Sequence, residues 1–124
     1  MIAFVRAFFI SALLAVGTSA PVQAQGAPYD EKLLRLGEVL GSLHYLRNLC
    51  GETGDLLRQQ METLIVSENP SPERRARLVA SFNRGYGAFA NAHTTCTASS
   101  MEAIRRYMSE ADALSRDIVV RYGG

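Results

Sequence analysis

The sequence has no surplus of charge, no long apolar run beyond its first residues and none of the short motifs that carry chemistry. Thirteen Lys and Arg face twelve Asp and Glu, a formal charge of +1 at pH 7. A chain so balanced is not a dedicated binder of polyanions or polycations. Basic residues interleaved with aromatics, the pattern that tracks single-stranded nucleic acid, are missing too. No nucleic-acid partner is therefore expected. There is no C-x-x-C-H, no C-x-x-C and no G-x-S-x-G. Their absence excludes covalent haem attachment, a vicinal redox dithiol and a nucleophile elbow. No pair of carboxylates stands out for acid–base work, so no enzyme, cofactor or metal is expected. No stretch alternates with the period of a strand, and no segment repeats.

What is present starts with the compartment. Met1 to Arg6 is short and basic, and Ala7 to Val16 is wholly apolar apart from Ser11. Gly17 to Ala24 is a small-residue region ending in Val22-Gln23-Ala24. This is the layout of a secretory signal peptide cleaved after Ala24. Ten residues of helix reach about 15 Å, half of the ~30 Å hydrocarbon core, so the run is too short to anchor the chain. The sequence thus divides into a signal peptide (1–24), a leader (25–29) and a helical domain (30–122). No later run approaches the length of a membrane span. The expected destination is outside the cytoplasm, by export.

Four helical segments follow. Asp30 is a candidate N-cap, and Leu33, Leu36, Leu40, Leu43 and Leu46 recur at threes and fours up to Cys50 and Gly51. Gly37 and Gly41 interrupt this helix at about 1 kcal/mol each relative to alanine. Close packing on a neighbouring helix explains them, and so does a gap that admits a ligand. The second segment, capped by Thr53 or Asp55, carries Leu56, Leu57, Met61, Leu64 and Ile65. Glu68-Asn69-Pro70-Ser71-Pro72 is the clearest break, and Ser71-Pro72 is a helix start. Leu78, Phe82, Tyr86, Phe89 and His93 form the stripe of the third segment. Gly85 and Gly87 mark a kink or the close approach of another backbone. Ser99-Ser100-Met101-Glu102 resembles a capping box for the last segment, which carries Ile104, Met108, Ala111, Leu114 and Ile118.

Short connections make neighbouring helices antiparallel. The expected fold is an all-α, up-down antiparallel four-helix bundle. That polarity brings Cys50, at the end of the first helix, to the same pole as Cys96, at the end of the third. Were the third helix reversed, the two would lie about 30 Å apart, far beyond the ~7 Å a disulfide tolerates. In an exported chain with two cysteines, a Cys50–Cys96 staple is the expected outcome.

Three groups of side chains have both a functional and a plainer reading. Arg74, Arg75 and Arg77 form a basic cluster that could contact an anionic envelope component or an envelope protein. The plainer reading is a solvated helix face. Tyr45, Phe82, Tyr86 and Phe89 could line an aromatic pocket or simply pack in the core. His93 and His44 lie near the cysteines, but His44 points away from Cys50 and a disulfide consumes both thiolates, so a metal site is not expected.

Several runs carry a resemblance: Leu43-His44-Tyr45-Leu46-Arg47-Asn48-Leu49-Cys50, Arg74-Arg75, Phe82-Asn83-Arg84-Gly85-Tyr86, Cys96-Thr97, Arg106-Tyr107 and Arg121-Tyr122. Over most of Asp30 to Tyr122 the chain resembles an uncharacterised family of small exported alphaproteobacterial proteins with a signal peptide and two spaced cysteines. The resemblance implies a Gram-negative periplasm and brings no catalytic or binding residues. The expected function is that of a non-enzymatic binding or interaction module of the cell envelope. The alternatives are a periplasmic carrier of a small molecule or metal, and an envelope enzyme.

Overall fold

The computed structural model describes Gly17 and residues 27–122. Apart from Gly17, the signal peptide lies outside the described residues, as does the first part of the leader. Four helices follow one another: α1 (Asp30–Leu49), α2 (Leu56–Glu68), α3 (Pro72–Ala90) and α4 (Ala98–Tyr122). No strand occurs among the described residues. Polarity alternates along the chain, as expected of an up-down bundle.

The helices start and stop where backbone chemistry directs them. Ser71 caps α3, its Oγ accepting from the Arg74 N–H at 3.2 Å, with Pro72 at the first helical position. Gly51 follows α1 with φ +95°, the left-handed conformation glycine adopts without penalty. Three local expectations change. Asp30 lies inside α1 rather than capping it, and Tyr29 precedes it without a side-chain cap. α3 ends at Ala90, short of His93. The cap of α4 lies earlier than Ser99: the Thr97 N–H donates to Ser100 Oγ, and the Ser100 N–H to Thr97 Oγ1, each at 3.2 Å. That reciprocal pair has the logic of a capping box, with serine in place of glutamate.

α1 is the hub, and the other three helices pack on it. Leu33, Leu36, Val39, Leu40, Leu43 and Leu46 are buried along α1, under Leu57, Met61 and Ile65 of α2 and Leu78 of α3. The closest pair is α1 with α3, which run in the same direction. A methyl group on Gly41 would stand 1.9 Å from the Phe82 carbonyl oxygen, and one on Gly85 1.8 Å from the Glu38 carbonyl oxygen. Real atoms do not approach so closely, so only glycine lets these backbones touch. The packing is that of small-x-x-x-small contacts, Gly37 and Gly41 against Ser81 and Gly85. The glycines of α1 therefore seat α3 and leave no ligand gap between the two helices. Ser42 Oγ reinforces the seat with hydrogen bonds to the carbonyls of Glu38 and Gly85, each 3.0 Å.

Clamps close both poles. At one, Cys50 and Cys96 form a disulfide, Cα atoms 5.0 Å apart, closing a separation of 46 residues. Chain entropy assigns such a loop about 4 kcal/mol. At the other, Arg74 binds Asp30 and Glu68, and Tyr29 donates to Glu68. α4 runs antiparallel along α1, tied by Lys32–Asp117 and by Arg35–Glu110 at 2.9 Å. Among the described residues no helix is long and apolar enough to cross a membrane.

Candidate functional site

Seating α3 on α1 has a cost for α2. α2 has 13 residues, against 19 in α3. The two approach each other only near their connection and then diverge. The space left between them is a groove of about 510 Å³, within the size range of small-molecule sites. α2 contributes Arg58, Met61, Glu62 and Ile65; α3 contributes Arg75, Val79, Phe82, Asn83 and Tyr86. His44 of α1 closes one end, its ring 5.8 Å from that of Phe82 and 5.9 Å from that of Tyr86. The lining is mixed: Met61, Ile65, Val79 and Phe82 are apolar, with Arg58 and Glu62 on the α2 side and Arg75 and Asn83 on the α3 side. Arg58 is salt-bridged to Glu62 at 3.6 Å.

The basic cluster at the start of α3 does not survive as a unit. Arg74 is 8% exposed. Its Nη2 lies 2.6 Å from Asp30 Oδ1 and 2.8 Å from Glu68 Oε2, and its guanidinium stands 5.9 Å from the Tyr29 ring centre. Hydrogen bonding to Asp30, then to Glu68, raises its pKa against the opposing effect of burial. Arg74 therefore belongs to the fold and is not free for a partner. The reason lies in helix geometry: Arg74 is four residues before Leu78, so both face inward. Arg75 and Arg77 are exposed.

The proposed aromatic pocket is also divided. Phe82 and Tyr86 line the groove. Tyr45 packs edge-on against Tyr86 at 5.2 Å and donates its hydroxyl to the His93 carbonyl. Phe89 turns to the other side, edge-on to Tyr107 of α4 at 5.3 Å. Tyr45 and Phe89 thus brace the bundle rather than the groove. The sequence reading missed Arg58, Val79, Asn83 and His44 as groove residues. A signal was present: Arg75, Val79, Phe82 and Tyr86 recur at four, three and four, a face separate from the buried Leu78, Ser81 and Gly85.

His93 points Nδ1 at Ser100 Oγ, 3.3 Å away, beside the α4 cap. Ser100 is wholly buried, so the pair is structural and not an exposed nucleophile with its base. Both cysteines are spent in the disulfide. Among the described residues no cluster of three or more His, Cys, Asp or Glu is placed to hold a metal.

Comparison with known families decides the relationship. The model of a family described as "Protein of unknown function (DUF2385)" matches residues 28–122. The chain belongs to this family. The match spans all four helices, both cysteines and the whole groove, so the DUF2385 unit and the helical domain coincide. No curated protein and no solved structure matches the chain.

Proposed function

We propose that the protein is an exported, non-enzymatic binding module of the bacterial cell envelope, and that the α1–α2–α3 groove is its recognition site. One observation carries this reading: a trough between α2 and α3 with an apolar strip of Met61, Ile65, Val79 and Phe82 and an arginine on each helix. A trough of this kind holds an apolar body and orients a polar head. Among the described residues, the ion pair in the groove is a local one, Arg58 with Glu62 on the same helix. The disulfide supports export, because such bonds persist in oxidising compartments. The N-terminal pattern supports the same compartment.

Site-specific photocrosslinking of the full chain in its own host tests the site. A photoreactive residue at Val79, in the groove, is expected to yield an adduct of reproducible mass. One at Val120, 83% exposed near the end of α4, is expected to yield none. Equal labelling at the two positions, or none at Val79, contradicts the reading. Export is tested separately by the mass of the mature protein. It is expected to begin at Gln25 and to be two hydrogens lighter than the reduced chain. A protein that retains Met1 contradicts export with cleavage.

A further inference from the structure

Arg75, Val79, Phe82 and Tyr86 share one face of α3 and all line the groove. From Arg75 to Tyr86 the helix rises about 16 Å. α2 runs the opposite way, so Arg58 stands at the Tyr86 end and Ile65 at the Arg75 end. The two arginines differ in availability. Arg58 faces Glu62, and an anion there must first displace that carboxylate. Arg75 has no carboxylate partner among the described residues. The groove is thus polarised along its length: a free guanidinium at one end, then Val79, Ile65, Met61 and Phe82, then the rings of Tyr86 and His44.

We propose that the groove binds one single-chain amphiphile with an anionic head, a carboxylate or a phosphate monoester. The head sits on Arg75, whose planar fork matches both anions in bidentate geometry. The apolar chain lies on Val79, Phe82, Ile65 and Met61 and ends beneath Tyr86. A peptide fits less well, because an extended backbone needs polar partners along its length. Between the two arginines the groove offers Asn83 and the Glu62 carboxylate, and the latter is taken by Arg58. A cationic amphiphile meets like charge at the head position. This inference rests on the groove being the recognition site, and it names the class of ligand.

Isothermal calorimetry on the processed full chain tests it, with dodecyl phosphate, dodecyl maltoside and dodecyltrimethylammonium, each as a monomer. Dodecyl phosphate is expected to bind one per chain. The neutral and cationic analogues are expected to bind at least about tenfold more weakly, the scale of one charge-assisted hydrogen bond. Arg75→Glu is expected to cost dodecyl phosphate the same factor, while Arg77→Glu leaves it unchanged. Both arginines are exposed, so both variants fold, and circular dichroism checks that they do. Equal affinity for the three amphiphiles overturns the proposal. So does an equal effect of the two variants, or binding to phosphatidylglycerol vesicles alone. In any of these cases a persisting Val79 photoadduct keeps the groove as the recognition site and rejects only the ligand class.

Discussion

Arg74 bridges Asp30 and Glu68 with one guanidinium, where the start of α1, the end of α2 and the start of α3 converge. Removing one member of such a triad strands charge in a partly dry setting. Arg74→Ala is expected to destabilise the protein by about 3 kcal/mol, and Arg77→Ala by no more than about 0.5 kcal/mol. Chemical denaturation measures both. Tyr29 gives this pole a pH dependence. Its hydroxyl donates to Glu68, which raises its pKa above the ordinary value; burial and the charge of Glu68 act in the same direction. A raised folded pKa means stability that is complete below the unfolded value, about 10, and lost as pH rises through the folded one. Melting temperature is therefore expected to fall more steeply above about pH 10 in the native protein than in Tyr29→Phe. At this scale the sequence was only partly legible. Three arginines in four positions look alike in a string, and what separates Arg74 from Arg75 is 100° of helical rotation and two carboxylates distant in sequence.

Among the helices, α2 is the least secured. It buries Leu57, Met61 and Ile65, while Leu56 and Val66 are exposed. α1 is covered by three helices. In native-state hydrogen exchange the α2 amides are expected to exchange before those of α1 and of the Leu78–Gly85 stretch of α3. Simultaneous exchange of all four helices contradicts this order. The elements themselves were readable, because leucine periodicity, the Ser71-Pro72 start and the glycine after Cys50 are local signals. The α3–α4 connection was less so. α3 stops at Ala90, and Thr97 takes the capping role from Ser99, because the disulfide and the buried Ser100 fix where the chain turns. The first constraint comes from Cys50, far away in sequence; the second is the contact of Ser100 with Thr97 and His93. The groove was hidden for a similar reason. Its walls belong to two helices, and it depends on how far they diverge.

For the whole molecule, helix polarity placed both cysteines at one pole, and the disulfide is found there. Reduction is expected to cost up to about 4 kcal/mol, because it frees a loop of 46 residues in the unfolded chain. The arrangement around α1 follows from one contact, the backbones of α1 and α3 touching through Gly41 and Gly85. That contact places α3 and leaves α2 to form the far wall of the groove. Gly87, two residues on, is a matched control: a methyl group there meets nothing within 4 Å. The direct measurement is the unfolding free energy of Gly85→Ala beside Gly87→Ala. Gly85→Ala is expected to lose at least about 3 kcal/mol. Gly87→Ala is expected to hold or gain up to about 1 kcal/mol, the helix propensity of alanine. A Gly85→Ala protein as stable as Gly87→Ala contradicts the seating of α3 on α1, and with it the origin of the groove.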